Sequence, residues 1–374
     1  MIAQQPREAL KAELRSGCHR RVLLVRLDAI GDYILFRNVL RFIRHSAAYR
    51  NAHVTVLGNP AWRSLAEAFD RDCANEWLWV KRRGDLFRKS LENLVPATIW
   101  HRRVARAQAD LRQPLLQRHF DEVLSLQPFR DPLLDELVAG LAPSVVGIKG
   151  PGGEDSAYTR LLDPGPNSFV FLRNRRAAAD LTGESCDVPL ALDVPHSGAT
   201  APRLMLFPGA SHWTRRWPLS RFAAVGRRFL ANGGNTVCVA GGPADAARIR
   251  ALAHHIGNPE RVATWDVRRP LADLAAEMAA CSAVVSNDTM ALHLAAAIGP
   301  PAVGVVNGTS GRGGFWPYPE SLGKRVAICG ANGAALLAEL RSACLPARQF
   351  AQYRALLTTS VDEVCRALVA LGAS

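Results

Sequence analysis

The stretch Arg21-Val-Leu-Leu-Val-Arg-Leu-Asp-Ala-Ile-Gly-Asp32 decides the fold. Its first six residues are an almost continuous apolar run of strand length. The run breaks at Gly31-Asp32, and apolar residues then recur at helical spacing through Ile34, Leu35, Val39, Leu40 and Ile43. The reading is strand, tight loop, helix. A second strand, His53 to Leu57, stops at Gly58-Asn59-Pro60 and a helix follows from Trp62. This βαβα alternation is the pattern of an α/β domain, a parallel sheet with helices on both faces. Further strands are predicted at Trp77 to Val80, Glu122 to Leu126 and Val145 to Ile148.

The pattern restarts downstream. Pro189, Pro195 and Pro202 punctuate a Ser-, Gly- and Ala-rich stretch that reads as a linker. Arg203 to Phe207 is then a strand, followed by a small-residue loop, a helix from Leu219 to Asn232 and a strand from Thr236 to Ala240. Next come the Gly241-Gly242-Pro243 turn, a helix, a strand at Ser282 to Ser286, a helix at Met290 to Ile298 and a strand at Ala302 to Val306. The expected organisation is an N-terminal domain over 1–190, a linker over 191–202 and a C-terminal domain over 203–345. A helical segment over 346–374 is expected to pack back towards the first domain.

Length agrees, since 374 residues exceed what one core usually organises, ~250–300. With 48% hydrophobic and 21% charged residues, the composition excludes disordered, collagenous and membrane-spanning classes. Residues 1–17 lack the apolar centre of a secretory signal, and Leu271 to Val306 is interrupted by charged residues, so a cytoplasmic location is expected. The eight cysteines form no C-x-x-C pair, which argues against a zinc site or a disulfide framework. A net charge of +13 predicts an anionic partner. Between Lys81 and Arg118 the chain concentrates basic residues, among them Arg82, Arg83, Arg102 and Arg103. Without aromatic interleaving or a nucleic-acid motif, an anionic acceptor or a membrane surface suits this cluster better than nucleic acid, a solvated helix face being the alternative.

In open parallel sheets ligands bind beyond the carboxyl ends of the strands. Four segments follow strands in this way, and two facing sheets would gather them around one cleft. Gly31-Asp32 offers a close backbone approach and a carboxylate that either caps the next helix or accepts a proton from an attacking hydroxyl, with Asp28 as a second candidate. Pro208-Gly-Ala-Ser-His-Trp-Thr-Arg-Arg-Trp-Pro218 combines Gly209, hydroxyls at Ser211 and Thr214 and guanidiniums at Arg215 and Arg216, a set suited to a diphosphate. Gly241-Gly242 is the third. Ser286-Asn-Asp-Thr-Met-Ala-Leu-His293 is the fourth, where Asp288 or Asn287 can cap the helix, Thr289 adds an anion-binding element and His293 alone reads as a core residue. Asp70-Arg71-Asp72 superficially matches a metal-binding D-x-D, but it precedes a strand and has no third ligand. No metal site is therefore predicted, and Arg215, Arg216 and helix N-termini are left to neutralise a leaving diphosphate.

Taken together, these segments resemble glycosyltransferase family 9, the ADP-heptose:lipopolysaccharide heptosyltransferase family. Arg26-Leu-Asp-Ala-Ile-Gly-Asp32 is similar to the family's R-L-x-x-I-G-D, Pro208 to Pro218 to its P-G-A-S-x-x-T-K-R-W-P, and Asn287 to Ala296 to its N-D-T-G-x-x-H-L-A-A. Phe120 to Gln127 resembles a strand in the middle of its first domain. The resemblance implies a GT-B fold, two Rossmann-like doubly wound domains facing a central cleft, and inverting transfer without a metal or other cofactor. It implies ADP-heptose as donor substrate and an acceptor in the lipopolysaccharide core, held by the N-terminal domain at the inner face of the cytoplasmic membrane. Asp32 would be the general base. Thr214 and Arg215 would take the donor phosphates, Asp288-Thr289 to His293 would bind the donor, and Gly241, Gly242 and Asp245 would lie near the nucleoside. Asp28, Gly31 and the arginines of the basic cluster would face the acceptor.

Three departures bear on the sugar. Arg215 stands where the family has lysine, Met290-Ala291 stands for Gly-Pro, and Gly311 to Pro317 is an unusual loop. A GT-B sugar-nucleotide epimerase and a non-catalytic nucleotide-sugar-binding protein are the competing readings. A nicotinamide dehydrogenase is disfavoured because no G-x-G-x-x-G follows the first strand.

Overall fold

The computed structural model describes residues 19–80, 110–150, 155–165, 169–195, 201–308, 314–330 and 345–373. The chain divides into two compact units, Met1–Pro166 with Arg173–Val188, and Asn167–Leu172 with Pro189–Ser374.

In unit 1, strands β1 (Arg21–Arg26), β2 (His53–Gly58), β3 (Glu76–Trp79), β4 (Glu122–Ser125), β5 (Ser144–Ile148) and β6 (Arg160–Leu162) form one six-stranded sheet in the order β3-β2-β1-β4-β5-β6. Every pair is parallel. The apolar run at β1 is explained by its central place: Val22 to Val25 are buried, as expected of a strand covered on both faces. Its side chains join Leu57, Phe120, Val123, Leu134, Val138 and Val145 in one core. The helical stretch after β1 is two helices, α1 (Ile30–Ile34) and α2 (Arg37–His45), where the periodicity predicts one. The interruption carries contacts of its own. The Arg26 guanidinium lies over the Phe36 ring at 4.1 Å, and the carboxamide of Asn174 donates to the Leu35 carbonyl at 3.0 Å. Helices α3 (Arg63–Phe69) and α4 (Pro132–Val138) follow, and α5 (Val170–Thr182) begins within the second unit's share of the chain.

Unit 2 repeats the plan. Strands β7 (Arg203–Phe207), β8 (Thr236–Val239), β9 (Val262–Thr264), β10 (Ala283–Asn287), β11 (Ala302–Val305) and β12 (Val326–Cys329) form a parallel sheet in the order β12-β11-β10-β7-β8-β9. The helices are α6 (Leu219–Ala231), α7 (Ala246–Ile256), α8 (Leu271–Ala279), α9 (Met290–Ile298), α10 (Leu345–Thr358) and α11 (Val361–Ala370). Residues 167–172 join this unit locally: the Val170 N–H donates to the Gly314 carbonyl at 2.7 Å and the Phe169 ring lies 5.1 Å from that of Tyr318.

The C-terminal segment is part of unit 2, where Leu356, Val364, Leu368 and Ala373 join the core beside Trp217, Phe222, Val305 and Cys329. The strands absent from the sequence reading, β6, β9 and β12, lie at sheet edges and are only three or four residues long, too short for a run or an alternation to stand out. Among the described residues, six cysteines are free thiols and no helix is long and apolar enough to cross a membrane.

Candidate active site

Both sheets reverse their order of succession between two central strands, β1 and β4 in unit 1 and β7 and β10 in unit 2. Helices leave to opposite faces at such a switch point, which opens a crevice at the carboxyl ends of the strands. Most of the predicted site residues fall at these two places.

In unit 1 the switch point is organised by Arg26, the last residue of β1. Its buried guanidinium donates to the Leu126 carbonyl just beyond β4 and to the Asp32 carbonyl at 3.1 Å, and Nη2 lies 2.7 Å from Asp28 Oδ2. Asn59, after β2, donates to the Asp28 carbonyl at 3.1 Å and fixes the same loop from the other side. Asp32 occupies the first turn of α1. Its Oδ2 accepts the Ala29 N–H at 3.2 Å, so the capping role is real, while its buried Oδ1 has no hydrogen-bond partner. Asp28 Oδ1 is likewise buried without one. Burial raises the pKa of both carboxyls, Asp28 to about 7, against the lowering effect of Arg26, and Asp32 adds to the rise at Asp28. A carboxylate of raised basicity with an uncommitted oxygen is the chemistry of a general base working near neutral pH. Gly31 lies in the same first turn.

Arg82, Arg83, Arg102 and Arg103 lie outside the described residues. Two members of the same basic cluster have internal partners. Arg112 donates to the carbonyls of Glu136, Leu137 and Ala139 at the end of α4, and Arg118 pairs with Glu76. The D-x-D lookalike is structural as well. Asp70 is buried, accepting from the Tyr33 hydroxyl at 2.7 Å and from Arg37 at 2.8 and 3.1 Å, while Asp72 pairs with Arg41.

In unit 2, Asn287 at the end of β10 spans the switch point. Its amide donates to the carbonyls of Pro208 at 2.8 Å and Gly209 at 3.2 Å, and its oxygen accepts the Trp217 N–H at 3.0 Å. The loop after β7 is thereby held at both ends. Gly209 is required by packing, since a Cβ there would stand 2.2 Å from the Asp245 carboxylate, which in turn accepts the Gly242 N–H at 3.1 Å. Gly241 packs on the same side chain, so Gly209, Gly241, Gly242 and Asp245 form one contact group. Arg215 donates to Ser211 and lies 3.6 Å from Asp288. Thr214 is buried, its hydroxyl 2.8 Å from His212 Nδ1. Arg216 donates to the Ala210 carbonyl at 3.0 Å.

Thr289 caps α9 by accepting the Ala291 N–H at 3.3 Å and meets the Ser286 hydroxyl at 2.9 Å. His293 is buried with Nδ1 2.5 Å from the Tyr318 hydroxyl, and burial lowers its pKa to about 4, so the ring is neutral. Phe315 and Tyr318 flank it. Among the described residues no group of three or more His, Cys, Asp or Glu is arranged to hold a metal ion. The sequence reading left Asn59, Gln127, Arg248 and Tyr318 without a role. Asn59 and Gln127 each follow a strand closely, the signal that flagged Asp32, and Gln127 is buried with its amide nitrogen unpartnered.

Two wholly parallel sheets of this order, each carrying polar groups at its switch point, define the GT-B class of glycosyltransferase folds. Solved structures agree in fold. The glycosyl transferase family 9 protein of Veillonella parvula DSM 2008 superposes with a TM-score of 0.68 at 18% identity over 95% of this chain and 98% of its own. The E. coli ADP-heptose lps heptosyltransferase II gives 0.61 at 16% over 94% and 98%, and E. coli heptosyltransferase WaaC with ADP-2-deoxy-2-fluoro heptose gives 0.61 at 19% over 85% and 99%. No curated protein matches the chain in sequence. Residues 173–344 match the model of glycosyltransferase family 9 (heptosyltransferase), so the resemblance drawn from the motifs is borne out and the chain is a glycosyltransferase.

Proposed function

We propose that this chain transfers heptose from ADP-heptose to the core of lipopolysaccharide, with inversion at the anomeric carbon and without a metal ion, at the inner face of the cytoplasmic membrane. The observation that carries the reading is the buried, unpartnered Oδ1 of Asp32 beside Asp28 and Arg26 at the end of β1. Asp32 accepts the proton of the acceptor hydroxyl as that oxygen bonds to the sugar's anomeric carbon. The bond from that carbon to the diphosphate breaks on the opposite face, and ADP leaves with the electron pair. Asp28, Gly31 and the arginines at 82, 83, 102 and 103 serve the acceptor. In unit 2, the Gly209 to Arg216 loop holds the diphosphate, where arginine charge replaces a cation. Asp288, Thr289 and His293 bind the donor sugar, and Gly241, Gly242 and Asp245 adjoin the nucleoside.

The test is a transfer assay with ADP-heptose and a heptose-free lipopolysaccharide core, with the anomeric configuration of the product read by NMR. Asp32→Asn should keep the fold and donor affinity and lower transfer by ~10²–10⁴-fold. Turnover of the nucleotide sugar to an epimer without transfer, or donor binding with no turnover, would overturn the reading.

A further inference from the structure

Of the arginines near the loop after β7, Arg215 is already engaged by Ser211 and Asp288. Arg216 and Arg248 differ. Arg216 Nε donates to the Ala210 carbonyl at 3.0 Å, and Arg248 Nε, from the first turn of α7, donates to the Pro208 carbonyl at 3.2 Å. Each guanidinium is thus pinned by one edge to the same loop. Among the described residues their outer nitrogens make no further hydrogen bond or ion pair.

The charge balance points the same way. Burial lowers the pKa of Arg248, and the nearby Arg216 lowers it further, against Asp245 and Tyr353. Asp245 is a single carboxylate, and one of its oxygens is taken by the Gly242 N–H. Two half-buried guanidiniums facing one partly used carboxylate leave the place short of negative charge. Tyr353 of α10 lies 5.3 Å, ring to ring, from Trp213, so the C-terminal helix walls the same loop.

We infer that Arg216 and Arg248 together hold the diphosphate of the nucleotide donor, which makes Arg248 a donor-binding residue supplied by the β8 side of the switch point. The inference rests on the donor reading above. Guanidinium forks present paired N–H donors that match phosphate oxygens, and edge-pinned side chains have already lost much of their rotamer freedom.

Isothermal titration of the full chain with ADP and, separately, with inorganic pyrophosphate tests this. Arg248→Gln and Arg216→Gln should each weaken both ligands by about 10- to 100-fold and flatten the dependence of log affinity on log salt. Arg248→Lys should recover part of the affinity. The exposed Arg250→Gln, two residues away, should change nothing, and melting temperatures without ligand should match, separating lost binding from lost fold. Unchanged ADP and pyrophosphate affinity in Arg248→Gln, with wild type binding both, would overturn the inference and leave the donor reading standing. Wild type binding neither ligand would overturn both.

Discussion

The guanidinium of Arg26 lies 2.7 Å from the carboxylate of Asp28, at the end of a strand whose four central side chains, Val22 to Val25, are apolar and buried. That single cation faces two carboxyls, Asp28 and Asp32, and does not fully offset their burial.

Stability should record this imbalance. Asp28 has a folded pKa of about 7, above its unfolded value of ~3.9. Between these values the native state binds more protons than the unfolded state, so this group's contribution to stability is full at low pH and declines as pH rises to about 7. Asp28→Asn removes that decline. Urea denaturation should show the variant gaining on wild type between pH 5 and pH 8, and a constant difference between the two would refute the raised pKa of Asp28.

Catalysis should follow the opposite limb. A base works deprotonated, and the raised carboxyls place the acid-side fall of kcat/KM above the ordinary carboxylate range. Asp28→Asn removes a neighbouring negative charge, and the limb should move to lower pH. A limb that stays fixed would mean that the two groups do not interact.

Asn287 should be essential to the second unit's site. Asn287→Ala leaves the Trp217 N–H and the Gly209 carbonyl buried and unpaired, a loss of about 1–3 kcal/mol for each orphaned group. Asn287→Asp aims a carboxylate at two carbonyls and should be worse than alanine at pH 8. Equal denaturation midpoints for the two variants would contradict the assigned contacts.

Gly209 and Asp245 should behave as one unit. Gly209→Ala places a methyl 2.2 Å from the Asp245 carboxylate, and overpacking of this kind costs about 1–3 kcal/mol. In the Asp245→Ala background the same substitution should cost much less. Additive losses in the double-mutant cycle would show that the contact does not govern the loop.

His293 should not titrate between pH 5 and pH 8, because its folded pKa is about 4. The unfolded chain takes up the proton first, so stability from this group is present above ~6.5 and lost as pH falls towards 4. Imidazole chemical shifts in two-dimensional NMR would show this directly, and a midpoint near 6.5 would mean that the ring is solvated.

The sequence by itself determined the architecture and the addresses of the candidate site residues at the ends of its strands. Continuous apolar runs such as Val22 to Val25 can only be central strands, and a break into Gly, Asp or Asn followed by helical periodicity marks a strand's ligand-bearing end. Three ordered motifs were enough to suggest the family. Tertiary structure decided what those runs could not encode. Edge strands β6, β9 and β12 are three or four residues long and are defined by pairing with a neighbour, not by a pattern of their own. The C-terminal helices joined unit 2 because its core lacked the side chains they supply. The partners of Asp32, Arg215 and Arg248 depend on which strands lie side by side, and that order places residues 100 apart, Arg26 and Leu126, in contact. A lone aspartate in a loop reads as a cap from sequence. Only burial in the fold, beside Asp28 and one guanidinium, raises its carboxyl above the ordinary carboxylate range.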